Sequence, residues 1–197
     1  MIKKISEYLT MIIDKLYSTN SIEKQNKKVI HVILKNDLFA NLKDNEEEIL
    51  FGCGCFWGAE KGFWRLPGII TTAVGYAGGE KKNPSYRDVC TGLTGHAEVV
   101  KVDFDEAIIS YNDILNIFFA NHNPTQLNRQ GPDVGTQYRS SVFYLNSDQK
   151  EIAVSKIKSL QPQYNNSIVT EVVEGSQFYL AEEYHQQYVA KGGICHF

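Results

Sequence analysis

The chain has 197 residues, 43% of them hydrophobic and 22% charged, an ordinary globular balance that excludes a wholly disordered protein. That length allows one well-buried core and is short for two full domains. A net charge of -3 provides no electrostatic footprint for nucleic acid. Four cysteines (Cys53, Cys55, Cys90 and Cys195) are too few and too unevenly spread for a disulfide scaffold, and suit a reducing compartment where thiols do chemistry.

Residues 1–17 place Ile2, Ile5, Leu9, Ile12, Ile13 and Leu16 at helical spacing, which predicts an amphipathic helix. Glu7 and Asp14 interrupt any apolar run long enough for a signal-peptide core or a membrane span, and arginine is absent, against a transit peptide. A cytoplasmic protein with no membrane span is the expectation. The apolar stripe is expected to dock on the domain body. Lys3, Lys4 and Lys15 on its polar face leave a membrane-surface or partner helix as the alternative.

Residues 29–34 are β-branched and read as a strand or an extended arm, and 36–48 as a polar connection. In Gly52-Cys53-Gly54-Cys55-Phe56-Trp57-Gly58 an apolar strand runs into glycines and leaves a cysteine where a helix can begin. Helix N-terminal amides favour negative charge, so the Cys55 thiol is expected below its free value of about 8.5. The competing reading is a cysteine packed as a small hydrophobe. Phe63-Trp64-Arg65 complete a short helix that Pro67-Gly68 stops. Residues 69–76 read as a strand and 77–84 as a loop.

In 96–104, Val100, Val102 and Phe104 alternate with Lys101 and Asp103, which predicts a strand with one apolar and one polar face. Counting back by two puts Glu98 on the apolar face, where a carboxylate is either paired or raised in pKa. A strand end reaching solvent is the alternative. Ser110 with Asp113 forms a capping pattern for a helix whose apolar face is Ile114, Leu115, Ile117 and Phe118, ending near His122-Asn123-Pro124. The loop 126–136, with Gly131-Pro132-Asp133, has no core pattern, as functional loops often do not. Residues 138–145 read as a strand, 147–160 as a helix, 168–173 as a strand and 179–191 as a last helix, with Leu180, Tyr184 and Tyr188 at intervals of four. A glycine-bearing tail carries Cys195. Alternating strands and helices with short loops favour an α/β or α+β layer structure, one sheet with helices on its faces.

The residues with chemistry to offer are thus a nucleophile (Cys55), an acid (Glu98), tyrosines near loops and a second thiol (Cys195) made mobile by Gly192-Gly193. A cysteine hydrolase needs a histidine base, whereas a redox enzyme needs a second thiol to resolve an oxidised intermediate. Cys53, two residues from Cys55 in an extended run, would need a strained bridge. Cys53-Gly54-Cys55 is also one residue tighter than the usual zinc pair and has no second pair beside it, so no metal site is expected. Other thiol chemistry, or a recognition module without turnover, stays open on the residues alone.

Several ordered blocks resemble the A-type peptide methionine sulfoxide reductase family: Gly54-Cys55-Phe56-Trp57-Gly58, Thr72-Ala73-Val74-Gly75-Tyr76-Ala77-Gly78-Gly79, Pro84-Ser85-Tyr86, Thr94-Gly95-His96-Ala97-Glu98, Gly131-Pro132-Asp133-Val134-Gly135-Thr136-Gln137-Tyr138-Arg139-Ser140 and Tyr184-His185-Gln186-Gln187-Tyr188. The match runs from about residue 49 to Cys195. The resemblance implies an α+β (α/β) fold, a two-layer ferredoxin-like sandwich whose mixed β-sheet is flanked by helices and followed by a C-terminal coil tail. It implies a catalytic domain over 47–197 preceded by an extension over 1–46 with the amphipathic helix. It further implies reduction of the S-epimer of methionine sulfoxide, in oxidised proteins, in peptides or free. No cofactor is bound, and thioredoxin or another dithiol is the external reductant.

By position in the matching blocks, Cys55 is implied as the nucleophile. Glu98, Tyr86 and Tyr138 are implied to hydrogen-bond the sulfoxide oxygen and help protonate it. Asp133 is implied to help hold substrate, Phe56 and Trp57 to form the methyl pocket, and Cys195 to resolve the sulfenic acid. The tail is shorter than in many members and lacks their Asn-Pro segment and tyrosine, which keeps Cys53 as a second recycling thiol. Cys90 is expected to pack, and His185 either to orient the last helix or to serve catalysis.

Overall fold

The computed structural model of the protein describes residues 28–195, so the helix expected over 1–17 lies outside the described residues. In chain order the elements are β1 (Glu46–Cys53), α1 (Phe56–Lys61), β2 (Ile69–Ala77), α2 (Tyr86–Cys90), β3 (Ala97–Asp105), α3 (Tyr111–Ala120), β4 (Arg129–Gln130), β5 (Asp133–Val134), β6 (Ser140–Tyr144), α4 (Ser147–Leu160), β7 (Glu171–Glu174) and β8 (Tyr179–Leu180). Six strands form one sheet in the order β7-β6-β1-β3-β2-β8, and β4 and β5 make a separate hairpin. β6 and β7 run parallel and the other neighbours antiparallel, so the sheet is mixed. Flanked by helices, it is the α+β architecture expected.

Strand alternation decides what each face does. Ile49 and Phe51 of β1, Val74 and Tyr76 of β2, and Val100, Val102 and Phe104 of β3 share a core with Phe56 and Phe63 around α1, with Ile114, Leu115 and Phe118 of α3, and with Ala153 of α4. Phe51 stacks on Phe63 and Phe118 with ring centroids 5.7 and 4.8 Å away. The opposite face carries a smaller cluster of Leu50, Ala77, Ala97, Val99 and Phe143, covered by Phe178 from the coil before β8.

Lys101 and Asp103 lie on that second face, and they are buried, not solvated as the alternation had suggested. β3 is central and paired on both edges, and burial is offset by ion pairing: Lys101 Nζ bonds Asp103 Oδ2 and, at 3.1 Å, Glu48 Oε2 of β1. Ser110 caps α3 as expected, accepting the Asp113 N–H. Ser85 caps α2 in a reciprocal box with Asp88.

Four segments depart from the sequence reading. Residues 29–34 make no strand beyond a single bridge, Ile30 with Asp37. The chain there curls around the buried His31 ring, whose Nδ1 accepts the N–H groups of Ile33 and Leu34. His31 Nε2 then donates to Thr72 Oγ1 at 2.9 Å, and burial holds the imidazole well down, at about 4. The strand read over 138–145 begins at Ser140, with Tyr138 in the 3-10 turn before it, and the one read over 168–173 is shifted to Glu171–Glu174.

The last helix does not form. After β8 the chain makes a 3-10 turn at Glu183–His185. Gln186 then lies along β2 like a strand partner: its Oε1 accepts the Val74 N–H at 2.9 Å, and its Nε2 donates to the Val74 carbonyl at 2.8 Å. His185, Gln186 and Gln187 are all about 1% exposed. Three consecutive residues pointing inward are incompatible with one buried stripe of a helix.

Candidate active site

The thiol at the centre of the site is presented by the turn between β1 and α1. Gly54 takes φ 86, a left-handed conformation suited to glycine, and Cys55 follows as the N-cap of α1. Cys53, at the end of β1, is fully buried in the core, and burial pushes its thiol up. Cys55 is only partly buried. Its thiol too is pushed up from the ordinary value, first by burial and then by the Glu98 carboxylate, with the Trp57 N–H acting the other way. The expected lowering at a helix N-terminus is therefore overturned: a helix of six residues offers a small dipole, and a buried thiol facing a carboxylate loses more than that restores.

Glu98 sits on the helix-bearing face of β3, opposite Tyr76. It is 1% exposed, and its Oε2 accepts the Phe56 N–H at 3.1 Å. Burial raises its carboxyl to about 8, against the Phe56 hydrogen bond and with help from the Asp133 charge. Tyr86, the first residue of α2, and Tyr138, closing the 3-10 turn before β6, have phenols raised by burial and then by Glu98. Both remain proton donors at any physiological pH. Asp133, on β5, is close enough for its charge to act on Glu98 and Tyr138.

Phe56 and Trp57 form an aromatic wall with Tyr86, each ring centroid 6.4 Å from the Tyr86 ring. Cys195 is close enough for its thiol to act on that of Cys55, and the four cysteines are free. The structure thus brings Cys55, Glu98, Tyr86, Tyr138, Asp133, Phe56, Trp57 and Cys195 into one site. Cys90 is on the helix where it was expected, but it is exposed, because its position in α2 faces away from the core.

Residues to which the sequence reading gave no settled role complete the wall. Tyr188 stacks on Trp57 at 4.0 Å and 17°. His185, left between two roles, accepts the Trp57 Nε1–H at 2.9 Å through Nδ1, and burial lowers its basicity. Glu182 accepts the Tyr86 N–H and the Tyr76 hydroxyl, each at 3.0 Å. The block Tyr184-His185-Gln186-Gln187-Tyr188 was the available signal. Reading it as part of a helix, with Leu180, Tyr184 and Tyr188 at intervals of four, hid the inward direction of His185, Gln186 and Gln187.

Chemically, a thiol lies beside a buried carboxyl that still holds its proton near neutrality, with two phenols and a second thiol around it. That set can attack an electrophilic atom, protonate an oxygen leaving it, and trap the oxidised sulfur. Among the described residues no group of three or more His, Cys, Asp or Glu is placed to hold a metal ion.

Comparison with known proteins points the same way. A family model described as peptide methionine sulfoxide reductase matches residues 47–196. The peptide methionine sulfoxide reductase MsrA of Vibrio parahaemolyticus is 49% identical over 171 residues, spanning 84% of this chain and 81% of that protein. Among solved structures, methionine sulfoxide reductase A of Corynebacterium diphtheriae matches with a TM-score of 0.81 at 35% identity, over 86% of this chain and 85% of that one. Mxr1 from Saccharomyces cerevisiae in reduced form matches with a TM-score of 0.76 at 36% identity, over 79% and 92% respectively.

Proposed function

The chain belongs to the peptide methionine sulfoxide reductase family, and we propose that it reduces methionine S-sulfoxide at Cys55, in oxidised proteins, peptides or the free amino acid, with thioredoxin or another dithiol as reductant. The observation that carries the assignment of roles is the buried Glu98 carboxyl, raised to about 8 and tied to the amide next to Cys55. Sulfoxide oxygen leaves sulfur only once protonated, and an acid serves best with a pKa near the working pH.

In the first step Cys55 Sγ bonds the sulfoxide sulfur while Glu98 gives its proton to the oxygen and recovers one from the thiol. Tyr86 and Tyr138 donate hydrogen bonds to that oxygen, Asp133 orients the polar end, and Phe56 and Trp57 enclose the methyl group. The S–O bond of the substrate then breaks and the hydroxyl passes to Cys55 Sγ as the bond between Cys55 and the substrate sulfur breaks, so that methionine leaves as the thioether and Cys55 is left as a sulfenic acid. The Cys195 thiol then bonds the Cys55 sulfur and water departs, leaving a disulfide. An external dithiol reduces that disulfide by exchange and is itself oxidised. The nearness of Cys195 to Cys55, and the enclosure of Cys53 in the core, favour Cys195 as the resolving thiol.

In this reading the catalytic domain is 47–197, with 28–46 wrapped onto it as part of its extension. No bound cofactor takes part. The cytoplasmic placement rests on the unpaired cysteines; no described helix is long and apolar enough to cross a membrane. The test is dithiol-dependent reduction of the two epimers of a model sulfoxide. Reduction of the S-epimer that Cys55→Ser abolishes supports the reading, and activity confined to the R-epimer overturns it.

A further inference from the structure

Gln187 is not a glycine, yet its backbone is left-handed, with φ 48. It lies between His185 and Tyr188, two residues of the C-terminal segment that meet Trp57. A strained residue of this kind persists only where its surroundings hold it, and here the hold is Glu60. Glu60 Oε2 accepts the Gln187 N–H at 2.8 Å, and Oε1 accepts both the Gln187 Nε2–H at 2.8 Å and the Thr72 hydroxyl at 2.9 Å. From the other side, Gln187 Oε1 accepts the Val32 N–H at 3.3 Å.

Glu60 is fully buried, and the partners it bonds are neutral donors. It shares α1 with Phe56 and Trp57, directly after Cys55, and the chemistry described above makes no use of its carboxyl. One short helix therefore grips the C-terminal segment twice, at Trp57 and at Glu60.

We infer that Glu60 is a positioning residue: by locking Gln187 into its turn, it sets His185 and Tyr188 against Trp57 and directs the following tail so that Cys195 reaches Cys55. The inference rests on the function proposed above in taking Cys55 as nucleophile and Cys195 as resolving thiol.

Two variants test it. Glu60→Gln keeps the volume, but whichever way its amide turns, an NH2 group faces a donor, so part of the grip on Gln187 is lost. Gln187→Gly adopts the turn freely and lacks the side chain that Glu60 holds. The first readout needs no substrate: alkylation of Cys195 in the reduced protein, mapped by mass, is expected to speed up about tenfold in each variant, the effect of one charge-assisted hydrogen bond. The second follows one equivalent of methionine sulfoxide: the Cys55–Cys195 disulfide is expected to form about tenfold more slowly, with a raised KM for sulfoxide from the loosened Trp57 wall.

Wild-type rates of Cys195 alkylation and disulfide formation in a folded Glu60→Gln protein overturn the inference. If that variant does not fold, the same wild-type rates in Gln187→Gly overturn it. A wild-type protein that reduces neither epimer overturns the proposed function instead, and Cys195 alkylation still decides the role of Glu60.

Discussion

The backbone N–H of Phe56 donates to Oε2 of Glu98 across 3.1 Å, joining the residue after the thiol to a carboxyl 42 positions further along the chain. The bond fixes the carboxyl beside Cys55, yet being a single neutral donor it leaves the proton on Glu98 over most of the physiological range. Acid and nucleophile are thereby held in one frame, and each perturbs the other.

The step that forms the sulfenic acid should be lost on the alkaline side. Glu98 is protonated below its folded value of about 8 and ionised above it, so single-turnover release of methionine is expected to fall with pH above that value. Replacement by Gln removes the transferable proton, and a loss of about 10²- to 10⁴-fold in that step is expected. Rapid-quench measurement across the pH range checks both.

Thiol reactivity should move in the opposite direction. The Glu98 carboxylate raises the Cys55 thiol, so Glu98→Gln is expected to accelerate alkylation of Cys55 by iodoacetamide at alkaline pH while slowing sulfoxide reduction. A variant that slows both has merely disturbed packing. The two rates, measured on one preparation, separate these outcomes.

Cys195→Ser should stop recycling and spare the first turnover. One methionine per protein is then released and the oxidised species carries one added oxygen on Cys55, which intact mass shows directly. Cys53→Ala is expected to keep dithiol-driven turnover, because that thiol is enclosed in the core. Sustained thioredoxin-driven turnover in Cys195→Ser would contradict the assignment.

Stability should fall as pH rises from about 6.5 to 8. Burial raises Glu98 to about 8 and Glu60 to about 7 from 4.5. The folded state therefore holds protons that the unfolded chain has already released, and their contribution is lost as pH climbs through those folded values. Each group acts with a slope of at most about 1.4 kcal/mol per pH unit. Below 6.5 the buried His31 and His122, held down at about 4, act in the opposite sense and offset part of the fall, to which Asp103, raised by burial to about 6, adds. Urea unfolding at several pH values checks this, and Glu98→Gln should remove part of the alkaline loss.

The pieces whose signals are local were legible in the chain alone. Val100, Val102 and Phe104 alternate as a strand must, and the same count carries Glu98 to the buried face, where a carboxyl keeps its proton. Ser110 and Asp113 announce a helix start. Gly54 permits the turn that offers Cys55. Ordered blocks added the residues around the thiol, because the chemistry ties their identities to fixed places along the chain.

The remaining features depend on partners far away in sequence. Lys101 and Asp103 read as a solvated face until β3 proves central and paired on both edges. Cys55 reads as an activated thiol until Glu98 is set beside it. The stretch 179–191 has a helical period, but Gln186 finds the free edge of β2 at Val74, 112 residues earlier, and Glu60 draws Gln187 into a left-handed turn. A side-chain amide bonded to a distant strand can outweigh local helix preference, and no spacing along the chain records where that strand edge will lie.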